Sequence, residues 1–216
     1  MGIAQPLCII MRNIQVLIIF LFFNGISAQN LTEINLDLKL SDSLIYETEI
    51  RIYQGEGITN YSSLFRMFKD KSGKWIVKFY EHYAEVDGIA ELRIEKRTLE
   101  SENDMEFIFQ NLIRSHILDL PNQNEIDWKL TTRGNVEKQE RIQRGKTIEE
   151  YDFKNETILI TDGEGFKVQA KAFNKFNEFE YSNPDSYLRH YPKIDELIYM
   201  NEILNILRTE FHIWEN

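Results

Sequence analysis

Between Leu36 and about Lys96 the chain is written in the period of a β-strand, and a run of such segments joined by short turns commits it to an antiparallel sheet. Tyr61 to Lys69 and Trp75 to Tyr83 flank Asp70-Lys-Ser-Gly-Lys74, a loop of hairpin length in which Gly73 can take positive φ. In the second strand Trp75, Val77 and Phe79 share one face and Ile76, Lys78 and Tyr80 the other. Ile45 to Gln54 sets Ile50 and Ile52 against Arg51 and Tyr53 before Gly55-Glu-Gly57 breaks the pattern. Ile89 to Lys96 alternates most cleanly, with Ala90, Leu92 and Ile94 expected inward and Glu91, Arg93 and Glu95 outward. The pattern predicts an antiparallel meander with one wet face.

Helical spacing follows. Ser101-Glu-Asn-Asp104 is a capping-type start, and Met105, Ile108, Phe109, Leu112 and Ile113 form one stripe of a helix expected to run to about Ser115. Leu120-Pro121 ends it, and the polar stretch Asn122 to Gly145 reads as a long connection. Thr147 to Phe153, Thr157 to Thr161, Phe166 to Phe173 and Asn177 to Tyr181 read as further strands, with Asp162-Gly-Glu-Gly165 a tight turn. After the breaker Ser182-Asn-Pro-Asp185, Leu197, Met200, Leu204, Leu207, Phe211 and Trp214 give the longest helix, about Ile194 to Trp214, a buried stripe. The expected architecture is α+β. About seven strands make an antiparallel meander, two main helices pack on one face of it, and the second helix is the long C-terminal one.

The first 28 residues read as a secretory signal peptide. Met11-Arg12 supplies a short positive start, Val16 to Phe23 an unbroken apolar run, and Asn24-Gly-Ile-Ser-Ala28 a small-residue exit. Met11 is the expected true start and Gln29 the expected mature N-terminus. The apolar run falls short of the roughly 20 residues that span a bilayer, so no stable span is expected after cleavage, and the product is periplasmic or extracellular. The only cysteine, Cys8, leaves with the signal, so no disulfide staples the mature chain. The remaining 188 residues, 29–216, suffice for a single α+β domain with its own core. Removing Arg12 leaves 24 basic residues against 35 acidic, a net charge of −11. Such a balance repels phosphate backbones and argues against nucleic acid as a partner.

Signals of chemistry are sparse. His82, His116, His190 and His212 lie far apart and without metal-ligand spacing, so neither a metal nor any other cofactor is expected. No G-x-S-x-G occurs, and Ser62 and Ser63 lie beside a strand with no histidine near in sequence. The strongest functional hint is aromatic: Phe173, Phe176, Phe179, Tyr181, Tyr187 and Tyr191 surround Asn183-Pro184-Asp185. Rings beside polar groups can form a platform for a flat ligand, which makes Phe179, Tyr181, Asn183, Asp185, Tyr187, His190 and Tyr191 the candidate binding residues. The expected function is that of an exported, non-enzymatic binding module for an envelope protein or small ligand. The alternative is an envelope hydrolase whose site is assembled from distant residues such as His82, Asp185 and His190.

The stretch Ile26-Ser-Ala-Gln-Asn30 resembles the signal-peptide ends of exported proteins of Bacteroidota, and Tyr181-Ser-Asn-Pro-Asp-Ser-Tyr187 resembles segments of uncharacterised exported proteins of that group. The resemblance implies export and carries no activity with it.

Overall fold

A computed structural model describes residues 31–56, 59–160 and 163–215. The predicted signal peptide, and Asp162 of the predicted turn, lie outside the described residues. The structure is α+β around a six-stranded antiparallel sheet. Strands β1 (Glu49–Glu56), β2 (Tyr61–Lys69), β3 (Trp75–Tyr83) and β4 (Arg93–Thr98) form a meander. Strands β9 (Glu164–Ala172) and β10 (Lys175–Ser182) then return as a hairpin to the opposite side of β1, giving the order β10-β9-β1-β2-β3-β4. The expected seven-strand meander is therefore four strands of meander extended by a two-strand hairpin beyond β1.

Strand parity sorts the apolar residues onto one face. Ile50, Ile52, Phe65, Met67, Val77, Phe79, Phe166, Val168, Phe179 and Tyr181 are all buried there. Helix α2 (Met105–Arg114) covers them with Ile108, Phe109 and Leu112, and α4 (Asp195–Phe211) with Leu197, Met200, Leu204, Leu207 and Phe211. Asp104, not Ser101, caps α2, its side chain accepting from Glu106 N at 3.0 Å. Beyond α4 the indole of Trp214 packs at 5.5 Å from Phe166, 5.8 Å from Phe79 and 6.5 Å from Phe65, and its Nε1 donates to Ser63 Oγ at 2.8 Å.

The second face is not simply wet. Helix α1 (Leu31–Asp37), which the sequence pattern did not announce, lays Ile34 and the following Leu38 against Tyr53, Leu64 and Tyr80. Strand β4 corrects a second expectation: Leu92 and Ile94 are 42% and 38% exposed rather than inward. As the outermost strand it presents charge, and Arg93, Lys96 and Arg97 lie over the rings of Tyr83, Tyr80 and Phe79. Long cationic stems thus cover aromatic faces and also guard an open edge. At the other edge Asn122 and Gln123 accept the Glu180 and Ser182 amides of β10, at 2.9 and 2.7 Å.

Two further corrections fall between these layers. The breaker at Ser182–Asp185 opens a short helix, α3 (Pro184–His190), with proline in its first turn. The polar connection 122–145 is largely ordered: a 3-10 helix (Gln123–Lys129), the short strand β5 (Thr131–Thr132) and strand β6 (Val136–Gln143). Strand β6 pairs with β7 (Lys146–Phe153), and β5 with β8 (Glu156–Thr157), so the predicted strand Thr147 to Phe153 forms outside the main sheet.

Candidate functional site

The aromatic segment 173–191 divides according to the two-residue period of β10. Phe179 and Tyr181 point under α4 and are each 1% exposed, whereas Phe176 lies on the opposite face at 59%. Burial first, then Glu196 and Glu125, push the Tyr181 phenol well above its ordinary value, so it stays protonated. Tyr187 is buried in α3 and stacks on Tyr191 with ring centres 6.4 Å apart. The Tyr191 hydroxyl donates to Leu130 O at 2.8 Å and so ties the loop after α3 to the end of the 3-10 helix. Asn183 adopts a left-handed conformation (φ 48°) and its amide donates to Glu164 O. Both Asp185 oxygens accept from Arg208, at 3.0 and 2.7 Å, while His190 is exposed. The structure thus gathers Phe179, Tyr181, Tyr187 and Tyr191 into packing that seats α3 and α4.

His82 lies elsewhere, in a constellation the sequence reading did not assemble. Its Nδ1 is 3.1 Å from Ser62 Oγ and its Nε2 is 2.8 Å from Asp37 Oδ2. The order carboxylate, imidazole, hydroxyl is that of a serine nucleophile and its base. Ser62 and His82 are direct neighbours across β2 and β3, each seven residues outward from the Lys69·Trp75 pair that closes the hairpin. That register was readable from the loop. Asp37 was not, because it ends α1. Ser62 is 1% exposed and His82 2%, so the hydroxyl has no open approach for a substrate carbonyl, and the three groups pin α1 to the sheet.

A larger polar cluster does the same work beside them. Glu49, fully buried, accepts from Arg51 Nε and Arg66 Nε at 2.8 Å each, and from the amides of Ile45 and Tyr46 at 2.9 and 3.1 Å. Burial alone would raise its pKa, but Arg51 and Arg66 together with these hydrogen bonds hold the carboxyl below the usual carboxylate range. Arg51 also donates to the carbonyls of Ser41 and Ser43. Next to this cluster Asp42, Ser43, Leu44, Gln169, Lys171, Phe176 and Glu178 line an open groove of about 410 Å³. Gln169 Oε1 is buried there and has no hydrogen-bond partner among the described residues. Also among the described residues, no three of His, Cys, Asp and Glu gather as a metal-ligand set, and no helix is long and apolar enough to cross a membrane.

The β6–β7 hairpin is the feature that packing does not explain. Every residue from Val136 to Phe153 is exposed. The hairpin stands on a narrow neck: β5 and β8 pair, Thr131 and Thr157 hydroxyls meet at 3.3 Å, and Lys154 N donates to Asn135 O. At the neck a side chain at Gly134 would collide with the Lys154 carbonyl. The tip is Arg144-Gly145, with φ of 53° and 76°, a two-residue turn in which both central residues are left-handed. Register places Val136 opposite Phe153, Lys138 opposite Tyr151, Glu140 opposite Glu149 and Ile142 opposite Thr147, all on one face. Val136, Ile142, Tyr151 and Phe153 are 57%, 78%, 74% and 68% exposed.

No family model matches the chain, and neither a curated protein nor a solved structure is detectably similar to it.

Proposed function

We propose that this chain is an exported, non-catalytic binding module that grips a protein partner with the β6–β7 hairpin. One observation carries the reading: a hairpin of two eight-residue strands, exposed on both faces, keeps four large apolar side chains on one of them. A lone two-stranded hairpin is marginal in water and gains stability when a third layer covers one face. Exposed apolar rows of this kind mark contact sites. The rest of the molecule supports the hairpin's independence, since its two main helices are spent on the sheet core. A photo-crosslinking amino acid placed at Tyr151, and separately at Lys71 on the body, tests the reading in cells of the native host. Adducts from position 151 and not from position 71 are expected; no adduct from the hairpin overturns the reading.

The order Asp37, His82, Ser62 favours a second reading, an envelope hydrolase. Its burial weighs against that reading, and a fluorophosphonate probe distinguishes the two. The binding module leaves Ser62 unlabelled, whereas labelling of Ser62 that disappears in His82→Ala would replace it with the hydrolase.

A further inference from the structure

The hairpin's apolar face is self-complementary when reversed. It consists of four cross-strand rows, running from neck to tip: Val136 with Phe153, Lys138 with Tyr151, Glu140 with Glu149, Ile142 with Thr147. Laid on a second identical face about a two-fold axis perpendicular to the strands, the first row meets the partner copy's fourth and the second meets its third. At both ends Val136 of one copy then meets Ile142 of the other, with Phe153 beside it against Thr147. In the middle each Lys138, already bonded to Glu149 at 2.6 Å within its own hairpin, faces Glu140 and Glu149 of the other copy. A parallel stacking would instead put Glu140 and Glu149 of each copy against the same pair of the other, four carboxylates together, which like-charge repulsion disfavours. An isologous contact requires a patch that matches its own reverse.

From this register we infer that the hairpin's partner is a second copy of this chain, the two hairpins stacked face to face and antiparallel. The inference rests on the reading of the hairpin as a contact element and names its occupant. Eight residues per strand make a face about 27 Å long and about 10 Å wide, which falls short of the roughly 1,200 Å² of a stable complex. The dimer is therefore a weak one, with a Kd of about 10 µM to 1 mM.

Sedimentation velocity of the mature chain between 5 and 500 µM reads this directly. Reversible dimerisation is expected. Lys138→Glu should weaken it about tenfold or more, because each copy then opposes three carboxylates with three. The triple variant Lys138→Glu, Glu140→Lys, Glu149→Lys restores opposite charges in both the intra-hairpin pair and the contact, and should dimerise as the wild type does. A strict monomer at 500 µM, or a triple variant as weak as Lys138→Glu alone, overturns the inference. The separate reading of the hairpin as a contact element would survive a monomeric wild type if position 151 crosslinks to a different protein in the host, and would fall with it if position 151 crosslinks to nothing.

Discussion

Replacing Glu49 with glutamine removes one negative charge from the centre of the second face and nothing else of comparable size. Arg51 is left fully buried and Arg66 is left with a side chain only 7% exposed, both without their anion. Breaking a buried pair in this way typically costs about 3–5 kcal/mol, a large share of the roughly 5–15 kcal/mol by which domains are stable. Glutamine keeps one acceptor oxygen, so the cost should fall near the lower end. For a chain of this size it corresponds to about 10 °C in Tm. Urea unfolding followed by tryptophan fluorescence at pH 7 and again near pH 3 is the assay. The folded carboxyl titrates below its unfolded value, so its contribution is complete above the unfolded pKa and declines as pH falls through and below it toward the folded one. The gap between wild type and Glu49→Gln should therefore be widest at pH 7 and shrink toward pH 3. Replacing Glu49, Arg51 and Arg66 together by apolar residues of similar volume should recover much of the loss, because no charge is then stranded. A gap below about 1 kcal/mol at pH 7, or one equally wide at both pH values, would refute the assignment of Glu49 as the centre that holds the 38–46 segment to the sheet.

Tyr187→Ala should lower thermal stability by about 3 kcal/mol, since the ring is buried and stacked on Tyr191; an unchanged Tm would return Tyr187 to the surface. Trp214→Phe keeps most of the packing against Phe65, Phe79 and Phe166 and removes the indole's bond to Ser63 Oγ, which keeps its own bond to Gln54 Oε1, so it should cost about 1 kcal/mol in chemical unfolding. Mass spectrometry of the chain from fractionated host cells should find an N-terminus at Gln29 in the periplasm or medium; an intact N-terminus in the membrane fraction would remove the proposal of export.

The sheet core was legible where one rule governed. Tyr61–Lys69 and Trp75–Tyr83 form strands at those very residues, since alternation and the Asp70–Lys74 loop agree. The stripe Leu197, Met200, Leu204, Leu207 and Phe211 is buried as its spacing implied. Ile94 escaped because alternation fixes a face and cannot say whether anything covers it. The aromatic segment misled for a related reason: nearness in sequence suggested a platform, but in β10 the two-residue period sends Phe179 and Tyr181 inward and Phe176 outward. Asp37 could not be read as a structural anion, because its partner His82 comes from a distant strand, and Glu49 next to Arg51 in sequence gave no sign of Arg66, which β2 supplies, or of the burial that unites the three. Helix α3 was hidden behind Pro184, which breaks a helix interior but suits a first turn. One arm of the hairpin was legible, as the strand Thr147 to Phe153; its partner Val136–Gln143 was not, since Arg144 at positive φ is not a residue that announces a turn.

If the β6–β7 hairpin is the proposed contact element, the body folds without it and self-association depends on it. Excising residues 136–153 and joining Asn135 to Lys154, whose backbones already meet in a hydrogen bond, tests both halves at once. A cooperative unfolding transition within about 2 °C of wild type is expected, together with loss of self-association. A shortened chain that fails to fold, or that associates as the full chain does, would contradict the proposal.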